Sequence, residues 1–553
     1  MIFRNVIIFI FFSTFLIAHA SENKNAYAVA SAHKLATTAG EQVMQAGGNA
    51  FDAAVAISAV LAVVEPYGSG LGGGGFWLLH EGQNNNDVVI DGREVAPLGS
   101  THDMYLDEQG KLTRTSIDGP LSAGIPGVVA ALEVINNDYG QRSLQENLQP
   151  AIDVARNGFT PGNHYLKLVS LRKQALLASP EASKIFLDNG EVPKSDFVIR
   201  QIDLANTLES IAQGGANSFY RGEIASKLVE GVQAAGGIWT LQDLASYKII
   251  KRMPIITNYL GVEIIMPPPP TSGGVVITQI LSMLEQTQTV DLDDAQSMHE
   301  VIEAMRRAYQ DRAIYLGDPD YTNIPMGKLL DKQYAQQKFS DFNQAKATTS
   351  QSLQNESESK GEDTTHFSVL DSDGSYVAAT LSINYPFGSG FVAAGTGVLL
   401  NDEMDDFSMA SGVANVWGLV GSDANSIQPG KRMLSSMTPL FARDEQRILI
   451  IGTPGGSRII SMLALALIKY QQGASANEIV SQRRFHHQYL PDEIQFEMNA
   501  LSEHEQSVLA AKGHQLNEMS RSYGNMQAII WDQENNKVES ASDPRGEGLA
   551  IVK

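Results

Sequence analysis

Residues 361–370 read GEDTTHFSVL. A polar tract, KATTSQSLQNESESKGED (346–363), with one leucine and no aromatic, ends here. An apolar run then starts with two threonines and a histidine. The tract, about 345–363, has the composition of a flexible, exposed linker. Beyond it, Thr364 to Leu370 and Tyr376 to Asn384 read as strands, and DSDGS between them is a turn. Folding about that turn pairs Leu370 with about Ser375 and sets Thr364 opposite Leu381 or Ser382. Ser382 and Asn384, two apart, then share one strand face. Thr364 would stand at the very start of a core strand, with a hydroxyl and an amide nearby.

Working outward, RILIIGTPGGSRIISMLALAL (447–467) reads as strand, glycine turn and helix. Gly455 and Gly456 sit where backbone N–H groups lack intrahelical partners, a geometry that serves either an oxyanion or a tight turn. NDEMDDFS (401–408) clusters Asp402, Glu403, Asp405 and Asp406, which suits a substrate ammonium or a solvated loop. Arg93 in DGREVAP and Ser435-Ser436 in RMLSSMTP offer donors for a carboxylate or for a structural pair.

Toward the N-terminus, GGNAFDAAVAISAVLAVVEP (47–66) predicts a buried helix with Asn49 as N-cap and Pro66 beyond its end. Gly68, Gly70 and Gly73 match G-x-G-x-x-G, but a helix precedes them and a strand, Phe76 to His80, follows. Phosphate binding needs the reverse order, so the glycines mark close backbone approaches. LANTLESIAQGG is helical, and Pro267 to Pro270 form a rigid turn before Thr271-Ser272-Gly273-Gly274. HEVIEAM places Glu303 where a zincin would have its second histidine. None of the 11 histidines falls in a ligand-spaced cluster, and no cofactor or metal is expected.

The chain has 553 residues, 43% hydrophobic and 18% charged, enough for a large layered core. Its formal charge of −22 argues against nucleic acid and anionic membranes as partners. Arg4, an apolar run from Val6 to Ala18, and Ala18-His19-Ala20 have the pattern of a secretory signal peptide (1–20) cut near Ala20. No later run predicts a membrane span. The absence of cysteine leaves no disulfide and no thiol nucleophile in the exported chain. Periplasmic or secreted placement follows as an expectation.

GGNAFDAAVA, LGGGGF, REVAP, PPPPTSGG, YLGDPD, TTHFSV, NDEMDDFS, LSSM, GTPGGSRII, RFHHQYLPDE and ASDPR occur in one order. In that order they resemble the γ-glutamyltransferases, from about residue 27 to the C-terminus. The resemblance implies an N-terminal nucleophile hydrolase, an α+β fold built as a four-layer αββα sandwich. It implies self-cleavage between Asp363 and Thr364 into a large (21–363) and a small (364–553) subunit that remain a heterodimer. Thr364 would then be nucleophile and α-amine base toward glutathione and related γ-glutamyl compounds, passing the acyl group to water or to an amino acid or dipeptide acceptor.

By the same resemblance, Gly455 and Gly456 form the oxyanion hole, and Ser382 orients the nucleophile's amine. Arg93, Ser435 and Ser436 hold the α-carboxylate; Asn384, Glu403 and Asp406 hold the α-ammonium. SGVANVWGLVGSD (411–423) resembles the family's lid loop, with Trp417 in place of tyrosine. Two alternatives stand beside this reading: a glutaryl or cephalosporin acylase on the same scaffold, and a secreted homologue without catalysis.

Overall fold

The computed structural model describes residues 26–287, 290–350, 364–409 and 421–553. Two antiparallel sheets pack face to face. The seven-stranded sheet runs, in spatial order, Leu549–Val552, Ala28–Ser31, Thr365–Leu370, Tyr376–Ser382, Gly74–Glu81, Asn86–Asp91 and Ile250–Arg252. The six-stranded sheet runs Lys537–Ser542, Gln527–Asp532, Arg447–Gly452, Leu440–Arg443, Val262–Met266 and Ile255–Tyr259. Helices cover both outer faces, giving the expected αββα layering. Each sheet draws strands from both sides of residue 363, so the two halves of the chain are interleaved.

The outer layer of the first sheet shows why the sequence pattern was readable. Helix Ala50–Val64 starts with a reciprocal cap: Asn49 Oδ1 accepts from the Phe51 and Asp52 N–H, and Asp52 Oδ2 accepts from the Asn49 N–H. Every residue of this helix is buried, and it lies between the sheet and helices Lys34–Gln45 and Leu144–Asn157. Over the second sheet, Gly273–Leu284 and Arg458–Gln471 form the inner helical layer, and Ala295–Tyr315 packs on the former.

The central hairpin differs from expectation by one residue. Asp371 N–H donates to Ser375 O at 2.9 Å and closes the loop, so Leu370 pairs with Tyr376 rather than Ser375. Thr365 then pairs with Leu381, which sets Thr364 level with Ser382. Asp371 fixes this register. Its Oδ1 accepts from the Asp373 and Ser375 N–H, and its Oδ2 from the Ala50 N–H at the start of the buried helix. Asn384 is not on the strand, which ends at Ser382; it adopts φ 70°, a left-handed conformation that asparagine tolerates.

Between the sheets, strand Thr365–Leu370 packs on Arg447–Gly452. Ser368 Oγ reaches Ile450 O at 3.2 Å and Gln527 O at 3.1 Å across the gap. The His366 ring fills the space where a side chain on residue 452 would lie, which explains Gly452. Burial drives the His366 imidazole down to about 3, and it bonds Thr380 Oγ1 at 2.8 Å. It is a neutral interior group rather than a catalytic base.

The start of the expected linker is pinned rather than loose. Ala347 N–H donates to Lys512 O, Thr348 N–H to Glu303 and Ser350 N–H to Asp492. Residues 351–363, including Asp363, and the proposed signal peptide lie outside the described residues, as does Trp417. No helix among the described residues is long and apolar enough to cross a membrane.

One grouping was invisible to spacing: His299, Glu303 and His514 bring ligand-type atoms within 4.8 Å of one another. Glu303 is already satisfied by Arg306, by Arg307 and by the Thr348 N–H. Two guanidiniums occupy the electrostatic role a cation would have, so the cluster reads as an anchor for residues 347–350.

Asp371→Ala should remove three charge-assisted bonds and destabilise the fold by about 2 kcal/mol. The check is a lowered thermal midpoint, with the far-ultraviolet spectrum of the native protein unchanged.

Candidate active site

The site is assembled by loops that the two sheets hold in place. Thr364 opens onto a cleft also lined by Arg93, Ser382, Asn384, Glu403, Asp406, Ser435, Ser436 and Gly456, together with Met437, Ser457 and Ile459. Nine residues singled out from sequence therefore meet in one place. Gly455 lies behind the lining, in the turn that carries Gly456 into it. The chain passes close to Thr364 at Gly68, where a Cβ would come within 3.3 Å of Thr364 O.

Gly455 and Gly456 adopt φ 139° and 55°, conformations that favour glycine, immediately before helix Arg458–Gln471. Their carbonyls accept from Arg458 and Ile459 N–H groups at 3.0 and 3.3 Å. Their own N–H groups donate to no acceptor among the described residues, and Ser457 Oγ is likewise buried without a partner. This turn therefore holds donors in reserve beside Thr364, at the positive end of a helix.

Serines 435 and 436 are held by the proline-rich loop. Ser435 N–H donates to Pro270 O at 2.8 Å, Ser272 N–H to Ser435 O at 2.9 Å, and Thr271 Oγ1 to Met437 O at 2.6 Å. Sequence reasoning missed Arg312 here. It lies on helix Ala295–Tyr315, and its Nη2 donates to Ser436 Oγ at 3.3 Å and its Nε to Ser272 Oγ at 3.0 Å. No motif marks it, because only the fold brings that helix under the serine pair.

The acidic cluster splits in two. Asp402 accepts from Tyr385 N–H and Asp405 from Ser116 Oγ, which makes both structural. Glu403 and Asp406 face the cleft and flank Arg93: Nη1 donates to Glu403 Oε2 and Nη2 to Asp406 Oδ2, each at 2.5 Å. Arg93 is thus paired with the acids, not with Ser435 and Ser436 as the resemblance suggests for a filled site. Its Nε is fixed by Met433 O at 3.2 Å. Asn384 closes the corner, with its N–H on Ser382 Oγ at 2.8 Å and its Nδ2 on Asp402 O at 3.0 Å.

Arg93 and Glu403 are buried here, and acidic side chains outnumber basic ones. Glu94, fully buried, also approaches Arg93 Nη1, at 3.4 Å. Burial opposes the Arg93 charge, but Glu403, Asp406 and Glu94 outweigh it and hold the guanidinium firmly protonated. Burial raises the Glu403 carboxyl, against the pull of Arg93, and raises Glu94 well above the usual carboxylate range. Glu403 Oε1 is buried without a donor. The pocket therefore suits a zwitterion, which brings a cation to the excess acid and an anion to the arginine. Its open volume is small, about 20 Å³, and a zwitterion seated here would compete for the Arg93 pairs.

The family model for Gamma-glutamyltranspeptidase matches residues 36–552. The chain belongs to the γ-glutamyltranspeptidase family. It is 40% identical over 525 residues to the glutathione hydrolase proenzyme of Escherichia coli (strain K12), covering 94% of this chain and 90% of that one. Among solved structures it resembles the Helicobacter pylori gamma-glutamyltranspeptidase, with 39% identity and a TM-score of 0.54 over 56% of this chain and 89% of that one. The cephalosporin acylase from Bacillus halodurans superposes with a TM-score of 0.83 at 24% identity, covering 98% and 99% of the two chains, a likeness of fold alone.

In this γ-glutamyltranspeptidase chain a second group escaped the sequence reading. Glu65, buried at the end of helix Ala50–Val64, accepts from Thr365 Oγ1 at 2.6 Å and Tyr67 OH at 2.9 Å. Burial pushes its carboxyl from 4.5 up to about 7, against the pull of those two bonds. The folded state thus holds its proton more tightly than the unfolded state, so this group's contribution to stability is full below pH 4.5 and declines as the pH rises toward about 7. Thermal midpoints of the native protein should fall relative to Glu65→Gln across that window. Parallel curves would contradict the assignment.

Proposed function

We propose that Thr364 is the nucleophile of a self-processing enzyme that transfers and hydrolyses γ-glutamyl groups, taking glutathione and related γ-glutamyl compounds as substrates. The observation that carries this reading is the placement of Thr364, the residue leading an interior strand, beside a zwitterion pocket and a turn with free N–H donors. A γ-glutamyl group presents an α-ammonium and an α-carboxylate at one end and the scissile amide at the other. Arg93, Ser435 and Ser436 take the carboxylate. Glu403, Asp406 and Asn384 take the ammonium. Arg312 supports the serine pair.

Within an uncut chain the Thr364 nitrogen is an amide and cannot accept a proton. Its hydroxyl attacks the Asp363 carbonyl, the C–N bond breaks, and the resulting ester is hydrolysed by water. That frees an α-amine with a pKa of roughly 7.7–8.0, suited to general-base work at neutral pH. The amine then takes the proton of the Thr364 hydroxyl as Oγ attacks the γ-carbonyl. Gly455 and Gly456 stabilise the oxyanion, and Ser382 orients the amine. The leaving amine takes the proton, and water or an acceptor amine resolves the acyl-enzyme. The β-methyl of threonine restricts χ1 and keeps the hydroxyl in line. Large (21–363) and small (364–553) subunits stay joined because they share both sheets. An N-terminal leader cleaved near Ala20 would place the enzyme in the periplasm or outside the cell.

A glutaryl acylase is disfavoured by the pocket's charge. A glutaryl chain offers a carboxylate to Arg93 but no ammonium, so Glu403 and Asp406 would be left without a compensating cation. Turnover of γ-glutamyl 4-nitroanilide should exceed that of glutaryl 4-nitroanilide by roughly 100-fold or more in kcat/KM. A preference for the glutaryl compound would overturn the assignment.

Thr364→Ala should remain one uncut polypeptide on denaturing electrophoresis and be inactive; an active variant would sink the mechanism. Arg93→Ala leaves the facing carboxylates without a counter-charge and should lower kcat/KM for the γ-glutamyl anilide by about 30-fold or more.

A further inference from the structure

The strand that begins after Thr364 is supported unevenly. Its pairing with Tyr376–Ser382 runs back to Thr365, but its pairing with Ala28–Ser31 stops at Phe367. Its first residues meet instead the turn that follows helix Ala50–Val64. A Cβ on Gly68 would lie 3.3 Å from Thr364 O and 3.7 Å from Thr365 Cβ. The turn is tight, with the Gly68 and Ser69 N–H groups donating to Glu65 O at 2.8 and 3.0 Å. Glu65 Oε2 accepts from Thr365 Oγ1 at 2.6 Å, the only hydrogen bond of that hydroxyl among the described residues. Side chains alternate along a strand, and His366 points at Gly452 of the second sheet, so Glu65 holds the chain from the opposite face.

The other carboxyl oxygen, Oε1, accepts from Tyr67 OH at 2.9 Å. One hydroxyl donor on each oxygen is a pattern that suits a carboxylate. A proton on either oxygen turns an acceptor into a donor, and one hydroxyl must then turn away. The charge-assisted bond to Thr365 becomes a neutral one of about half the strength. With Thr364, Glu65 lines a cavity of about 600 Å³ through which its proton can exchange with solvent. The charged groups of the same wall are Lys167, Arg521, Arg545 and Glu547, and His164 packs edge-on against Tyr67 at 5.1 Å. Arg545 is paired with Glu497 and Asp543, and burial lowers the His164 imidazole, which keeps it neutral at neutral pH. Burial, with Glu547 acting in the same direction, sets the Glu65 carboxyl at about 7, so both of its forms are populated at neutral pH.

We propose that Glu65 is a positioning residue for the nucleophile: as a carboxylate it holds Thr365, and through the shared peptide Thr364, in the reacting geometry, and on protonation it gives up part of that hold. The inference rests on the reading of Thr364 as the nucleophile of a γ-glutamyl enzyme. Glu65 bonds Thr365 and Tyr67, so it acts on the nucleophile through its neighbour and sets the rate of acyl transfer rather than the affinity of the cleft. The enzyme then carries a second proton switch, separate from the α-amine of Thr364.

The test is kcat/KM toward γ-glutamyl 4-nitroanilide for the native enzyme and Glu65→Gln, from about pH 5.5 to about pH 8.5, either side of the carboxyl's transition. Rates are expressed per cut chain, as judged by denaturing electrophoresis. Glutamine keeps the shape of the side chain without its charge, and the α-amine titrates in both proteins and cancels in their ratio. The native enzyme should exceed the variant by about 5-fold at the alkaline end and match it at the acid end. Thr365→Val should show the same loss, and adding Glu65→Gln to it should cost nothing further, because both act through one bond. Thr365→Ser keeps the hydroxyl and should keep the native pH dependence; the threonine pair carries the test by itself if Glu65→Gln is not cut. The inhibition constant of L-glutamate should be the same in every variant. A ratio constant across pH, losses that add in the double variant, or weakened glutamate binding would overturn the proposal while leaving the cleft assignment intact. Failure of the native enzyme to turn over the donor would instead overturn the γ-glutamyl reading itself.

Discussion

The structure depends on one geometric constraint: Thr364, the residue proposed to become a chain terminus, immediately precedes an interior strand. Strand Thr365–Leu370 is bonded on both sides, by Ala28–Ser31 and by Tyr376–Ser382, and it packs on the second sheet through Ser368 and His366. The proposed cut just before it would free a nitrogen without loosening the residue that carries it. Asp371 holds the far end of the hairpin and ties it to the buried helix, so Thr364 stays level with Ser382. The position of Thr364, the proposed nucleophile, is thereby set by a sheet register, which is among the most rigid references a fold provides.

Recognition depends on a second constraint, charge kept out of water. Arg93 is buried with Glu403, Asp406 and Glu94 around it, three acids for one guanidinium. On the proposed reading a zwitterion would exchange like for like: its carboxylate would take over from the acids at Arg93, and its ammonium from Arg93 at the acids. A ligand with one charge only would leave the other half of the network uncompensated.

Much of this was legible in the chain. The helix at Ala50–Val64 announced itself through Asn49 and an unbroken apolar run, and the hairpin through its alternation and its DSDGS turn. The cleft residues were legible because short motifs carry them: Arg93 in REVAP, Glu403 and Asp406 in NDEMDDFS, and Gly456 in GTPGG. What stayed hidden depends on three-dimensional closure. Arg312 and Glu65 sit on helices whose patterns record only burial, and their partners Ser436 and Thr365 are far away in sequence. The one-residue register shift arose because Asp371 and Ser375 bond to each other and join the loop, which composition does not reveal. The linker looked loose from its polarity, yet Ala347 to Ser350 are anchored by backbone bonds that any side chain would permit.

The central claim is that cleavage before Thr364 creates the catalyst. Mass spectrometry of the purified enzyme, quenched in acid during turnover of a γ-glutamyl donor, tests it most directly. The account predicts a fragment beginning Thr364-Thr365-His366 that carries the γ-glutamyl group on its first residue. A single unbroken chain that turns over the donor, or an acyl group carried on any other residue, would contradict it.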